Sequence, residues 1–181
     1  MRILVPLLAC LALLTAPPAF AAKKEGVSMP DTVEVAGQKL VLNGLGVREA
    51  TVFNVNVYVA GLYLPQKVSS SMVILATDQP WRIVLSFVRD VEKDKLVDAW
   101  KEGFGHQKGD HTAGLATLNK AMVDMKEKDT MVFTYVPGTG TTVEVKGANK
   151  GTIAGADFAK ALLGIWLGSH PPNEGLKKGM L

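Results

Sequence analysis

The sequence predicts an α+β domain in which an antiparallel sheet carries helices on one side. Three observations point there. Apolar residues alternate with a period of two through the first half of the chain and again over 130–146, the mark of strands. From Asp90 onward the period switches twice to about 3.6, the mark of helices packed on one face. No segment repeats another and no Pro/Ser-rich linker divides the chain, so one core is expected. With 181 residues, 48% hydrophobic and 20% charged, the chain is long enough and apolar enough to bury that core. A net charge of +3 without Lys/Arg runs longer than a pair argues against nucleic acid as a partner.

Residues 22–30 read as a flexible lead-in, leaving 31–181 as the domain. Asp31–Ala36 and Gln38–Leu42 form a hairpin around Gly37. GLGVRE supplies a glycine-marked turn, and Thr51–Leu64 is the longest strand candidate. Val68–Ala76 fits a short helix presenting Met72, Val73, Leu75 and Ala76 to the core, or a strand; a serine of Ser69–Ser71 would cap its first amides. Arg82–Val88 alternates and is a strand. In DVEKDKLVDAWKEGF, Leu96, Val97, Trp100 and Phe104 share one helical face, with Asp90 as cap and Gly103 or Gly105 as terminator. A second helix runs from Thr112 to about Lys126. Thr130–Val136 and Thr141–Lys146 pair across Pro137–Gly140, and Gly151–Ile153 adds a short strand. Asp157–Leu167 is a helix with Phe158, Leu162, Ile165 and Trp166 inward, and Glu174–Met180 is a further short one.

The first residues read differently. Arg2, the apolar run Ile3–Leu14 and the small-x-small triplet Ala19-Phe20-Ala21 have the layout of a secretory signal peptide. That run is shorter than the roughly 20 residues a membrane helix needs, so cleavage near Ala21 would release a chain without a membrane span. Leu7-Leu8-Ala9-Cys10 also matches a lipoprotein processing box, an alternative that would cut the apolar run in half. Cys10 is the only cysteine, so the mature chain would hold neither disulfide nor thiol chemistry.

Motifs for catalysis are sparse. Gly44-x-Gly46 has Glu49 where a dinucleotide fingerprint needs its third glycine, and Gly138-x-Gly140 lacks a following Lys-Ser/Thr; both sets read as turn glycines. His106, Asp110 and His111 lie close in sequence but lack zinc-enzyme spacing, and solvated loop histidines explain them. No G-x-S-x-G elbow is present. Asp124 and Glu127 read as a solvated helix end, and no cofactor or metal is called for.

That leaves NGLGVREATVFNVNVYVAGLYL, residues 43–64. On a strand, alternate side chains share a face. Asn54, Asn56 and Tyr58 would therefore line one surface that turns apolar at Ala60, Leu62 and Leu64, with Arg48 just ahead of it. Such a face fits a cleft holding the polar head of a mostly apolar ligand. A guanidinium matches a carboxylate with paired donors and stays charged when desolvated. A surface arginine paired with Glu49 or another acid would explain Arg48 equally, at about 0–1 kcal/mol if exposed.

The turn GLGVRE, the strand end VYVAGLYL, the segment IVLSFVRDVEKDKLVDAW and ALLGIWLG with its short charged helix together resemble the chalcone isomerase-like family, in particular its secreted bacterial members. The resemblance implies an open-faced sandwich: a large antiparallel sheet packed against a layer of helices, with a ligand cleft between them. It also implies two activities. Plant chalcone isomerases close a flavanone ring with an arginine matching Arg48, a strand threonine, and a tyrosine and asparagine from the helices. Related plant members bind fatty acids through the matching arginine and a strand tyrosine. Here Tyr58 stands in place of the threonine, no tyrosine occurs between Trp100 and Phe133, and Asn119 matches the helical asparagine. At least one donor that ring closure needs is missing.

The expectation is a periplasmic, non-catalytic binder of a small hydrophobic anion such as a fatty acid. Arg48 and Tyr58 would meet the carboxylate, with Asn54, Asn56 and Asn119 nearby. Leu62, Trp100, Leu115, Leu118 and Met122 fit either an apolar ligand wall or plain core. The alternatives are an isomerase acting on an α,β-unsaturated carbonyl compound through Arg48 and Tyr58, and an envelope interaction factor with a vestigial cleft.

Overall fold

The computed structural model describes residues 21–50 and 55–181. The alternating runs become β1 (Ala21–Lys24), β2 (Val27–Pro30), β3 (Thr32–Val35), β4 (Gln38–Ala50), β5 (Val55–Leu64), β6 (Trp81–Phe87), β7 (Thr130–Val136), β8 (Gly140–Val145) and β9 (Ala148–Ile153). The helical runs become α1 (Ser71–Ala76), α2 (Lys93–Gly105), α3 (Thr112–Ala121), α4 (Ala156–Leu167) and α5 (Glu174–Met180). Strands β3 to β9 form one seven-stranded antiparallel sheet in sequence order, and β1 pairs with β2 apart from it. The expected architecture of a large antiparallel sheet with a helical layer is what the chain adopts.

Three hairpins share one turn chemistry. Glu25-Gly26, Ala36-Gly37 and Lys146-Gly147 each hold positive φ at both residues and connect strands through a two-residue loop. That is the turn whose twist matches paired strands, and its second residue is glycine each time.

The sheet separates two apolar clusters. On the helix side, Leu62, Ile83, Leu85, Phe133 and Val143 meet Leu96, Trp100, Leu118, Leu162, Trp166 and Leu176. On the opposite face, Leu42, Leu45, Val47, Val59 and Tyr63 lie under Met29. Residues 22–30 are therefore not a flexible lead-in. They fold as the β1–β2 hairpin because Met29 buries its side chain to 3% exposure and the Tyr63 hydroxyl donates to the Pro30 carbonyl at 3.0 Å.

The second correction concerns Gly44 and Gly46, which lie inside β4, the longest described strand, and not in a turn. Helix α5 rests directly on them. A Cβ on Gly44 would strike the Gly179 carbonyl, one on Gly46 the Leu176 carbonyl, and one on Gly179 the Leu45 carbonyl. Glycine permits a backbone-to-backbone approach that any side chain would block.

Local boundaries shift for tertiary reasons. In α1 it is Ile74 that is buried, while Met72 and Val73 are exposed, and Ser70 caps the Val73 amide. Asp90 does not cap α2; its carboxylate accepts from Lys126 Nζ at 2.8 Å and the Glu127 amide at 3.0 Å, while Asp124 takes the Lys93 amide. Helix α3 stops at Ala121 because Met122 turns extended and Met125 pairs with Val91 in an isolated bridge. Strand β9 begins three residues before the expected Gly151.

Two stability outcomes follow from this packing. Gly46→Ala should lower unfolding free energy by about 2 kcal/mol or more, an overpacking cost, whereas Gly105→Ala, with nothing within 4 Å, should change it by less than about 1 kcal/mol; urea titration of both checks this. Burial holds the Tyr63 phenol up to about 12 from 10.0. The folded state then keeps a proton that the unfolded state releases, so stability should fall as pH rises from 10 towards 12, and Tyr63→Phe should flatten that decline in alkaline melts.

Candidate functional site

Strand β4 turns Leu45 and Val47 towards the hairpin side and Gly44 and Gly46 towards α5, so the period of two puts Arg48 on the helix side. Tyr58 sits directly opposite it on β5, and Phe87 opposite Tyr58 on β6. A row of guanidinium, phenol and phenyl thus crosses the end of the sheet. Tyr58 packs edge-on against Phe87, centroids 5.7 Å apart, and joins the helix-side cluster.

The asparagines do not share that face. Opposite Arg48 and Glu49, strand β5 carries one extra residue, Val57, and such a bulge breaks the alternation. The Asn56 amide accordingly donates to Glu25, in the turn of the β1–β2 hairpin, at 3.1 Å. The shared surface of Asn56 and Tyr58 read from parity is corrected by that extra residue, and Asn54 lies outside the described residues. The polar-to-apolar gradient runs across strands from Arg48 to Phe87 and, along β5, from Tyr58 to Ala60, Leu62 and Leu64.

Helix α4 supplies the partner that the sequence reading treated only as core. Trp166 Nε1–H donates to the Tyr58 hydroxyl at 3.1 Å. Trp166 is fully buried, its indole held by Trp100 and Phe133, each with centroids 5.9 Å away. Burial raises the Tyr58 pKa, while the Trp166 hydrogen bond and the Arg48 charge pull it down in smaller measure. Tyr58 is therefore a neutral hydroxyl beside a cation. Arg48 Nη1 donates to the neighbouring Glu49 carbonyl; among the described residues it makes no salt bridge.

The backbone around Arg48 is fixed by Asn173, the residue preceding α5. Its Nδ2 donates to the Val47 carbonyl at 3.1 Å and its Oδ1 accepts from the Glu49 amide at 3.2 Å. One side-chain amide thus substitutes for a neighbouring strand on both sides of the arginine. Asn43 does the same at the other end of α5, donating to the Met180 and Val68 carbonyls and accepting from the Val68 amide. An asparagine just before a helix suits an N-cap, but the Asn173 side chain makes no cap hydrogen bond, and its long-range partners leave no mark in the local sequence.

Asn119 is not brought to this row by any hydrogen bond. It lies on α3, which packs against β8, β9 and α2, and its buried Oδ1 has no partner among the described residues. Leu62, Leu118 and Met122 are 0–1% exposed and Trp100 6%, with Trp100 Nε1 on Met122 Sδ at 3.0 Å; Leu115 is half-buried. These are core contacts as the chain stands. Two cavities lie elsewhere: one of about 250 Å³ under the β1–β2 hairpin, and one of about 450 Å³ where α3 and α4 begin. Neither touches Arg48 or Tyr58.

The histidines regroup as well. His106 stacks on His170, centroids 4.6 Å apart, while His111 Nε2 meets the Lys108 carbonyl at 2.8 Å. Among the described residues no cluster of three or more His, Cys, Asp or Glu could hold a metal, and no helix is long and apolar enough to cross a membrane.

The family model described as chalcone isomerase-like matches residues 21–181. The chain belongs to the chalcone isomerase-like family. Among solved structures, this family member is similar to a fatty-acid binding protein of Arabidopsis thaliana, with TM-score 0.70 and 16% identity over 89% of this chain and 95% of that one. At that identity the likeness is one of fold. No curated protein sequence matches.

Asn173→Ala should speed hydrogen exchange at the Glu49 amide and cost about 1–2 kcal/mol of stability, since it orphans two partly buried backbone groups; exchange mass spectrometry and urea titration check it.

Proposed function

We propose that this chalcone isomerase-like protein binds a hydrophobic carboxylate, such as a fatty acid, without turning it over. The observation that carries the proposal is the Arg48–Tyr58 pair: a guanidinium with no acidic partner among the described residues, opposite a half-buried neutral phenol, at the margin of an apolar core. A carboxylate supplies the charge and acceptors that this pair lacks. The fatty-acid binding protein of like fold supports the same reading. Because Leu62, Leu118 and Met122 are already tightly packed, an alkyl tail would enter by displacing side chains or helices and not by filling a ready void.

The proposal includes a bacterial origin and export to the periplasm; the leader-like run Ile3–Leu14 and the triplet Ala19-Phe20-Ala21 support the export. The intact mass of protein recovered from a periplasmic fraction tests this part; a chain that still begins at Met1 would refute it.

Calorimetric titration with oleate tests the ligand. Arg48→Ala should weaken binding by about 1.5–3 kcal/mol, the worth of a hydrogen-bonded charge, or about 10- to 150-fold. Equal affinity in both proteins, or none in either, would refute it. With its pKa raised above 10.0, Tyr58 keeps its proton through neutral and mildly alkaline solution. Oleate affinity should therefore hold steady from pH 8 or so up to about 10 and decline only beyond, and Tyr58→Phe should abolish that alkaline step.

A further inference from the structure

We infer that Trp166 is a positioning residue that makes Tyr58 an obligatory hydrogen-bond donor, so that the site selects an ionised head group over a neutral hydroxyl of the same chain length. The inference rests on the carboxylate reading above and deepens it.

A tyrosine hydroxyl both donates and accepts, and by itself does not distinguish a carboxylate from an alcohol. An indole N–H can only donate. The 3.1 Å contact therefore has one polarity: Trp166 gives its proton and the Tyr58 oxygen accepts it. The hydroxyl's own hydrogen must point elsewhere, and no acceptor among the described residues takes it. Arg48, directly across from Tyr58, is likewise a donor without an acceptor side. Arg48 and the Tyr58 hydroxyl thus each have a proton to give at this end of the sheet, and the Tyr58 oxygen is already engaged as an acceptor.

The indole is not free to relax this constraint. Trp100 meets it at an interplanar angle of 74° and Phe133 at 48°, and the whole residue is buried in α4. Its N–H direction is set by packing. A carboxylate, an acceptor on every face, satisfies both donors. An alcohol needs an acceptor for its own proton, and with the Tyr58 oxygen already engaged by Trp166 it meets a poorer match.

The experiment measures oleate and oleyl alcohol affinity in the wild type, Trp166→Phe, Tyr58→Phe and the double variant, with thermal melts of each. Trp166→Phe retains an aromatic ring and should weaken oleate binding about three- to tenfold, the scale of one net hydrogen bond, with alcohol affinity unchanged or improved. In the Tyr58→Phe background the same change should have no further effect on oleate, because Trp166 acts through that hydroxyl. An equal loss for both ligands, or the same loss with Tyr58 already removed, means a merely structural tryptophan and overturns the inference. Wild-type oleate binding that depends on Arg48 but ignores Trp166 overturns it while leaving the carboxylate reading intact. No oleate binding by the wild type overturns both. Should Trp166→Phe fail to fold, Tyr58→Phe carries the test alone: it should lose the preference for oleate over oleyl alcohol, and an undiminished preference overturns the inference.

Discussion

The contact on which the rest depends is the seating of α5 on bare β4 backbone. Gly44 and Gly46 from the strand and Gly179 from the helix let two backbones meet where side chains would hold them apart. Asn43 and Asn173 then tie the two ends of the helix to the strand and its neighbourhood. This closes the helical layer over one margin of the sheet and anchors the β4 backbone on both sides of Arg48. Without it, the arginine would sit on an unsupported strand end. The sheet's other face needs a separate cover, and the β1–β2 hairpin provides it with Met29.

Much of the fold was legible because hydrophobic period and turn chemistry agree along most of the chain. Trp81–Phe87, Thr130–Val136, Ala156–Leu167 and Glu174–Met180 fall within one residue of the sequence reading. The misses share one cause, contacts between residues distant in sequence. Gly44 and Gly46 look like turn residues until α5 is placed upon them. Met122 and Met125 continue a helical stripe, yet Met125 is drawn to Val91. Ala22–Pro30 lacks a long apolar run, and becomes ordered only because a sheet face awaits Met29.

Sequence pattern put Arg48 and Tyr58 together and missed the residues that fix them. Arg48 and Tyr58 do face each other. The extra residue Val57 could not be seen from alternation, which assumes an unbroken ladder, and it sent Asn56 to Glu25. Trp166 was legible as core but not as a donor, although a buried indole N–H usually finds an acceptor. Charge and burial oppose each other at Tyr58: the low-polarity surroundings favour the neutral phenol, and the neighbouring guanidinium favours the anion, with burial the larger effect.

The separation of the two halves of this site along the chain bears on when it can exist. Asn43 and Met180 are 137 positions apart, and Val47 and Asn173 126. Closing such spans costs entropy that only the finished contact returns. As synthesis proceeds, strands β3 to β9 can zip by successive hairpins, each needing only its neighbour. The margin holding Arg48 cannot, because its covering helix is made after β9. A nascent chain would therefore spend its longest interval with that margin open, its backbone unpaired and its apolar underside wet. Helix α5 is what converts an open sheet edge into a covered one.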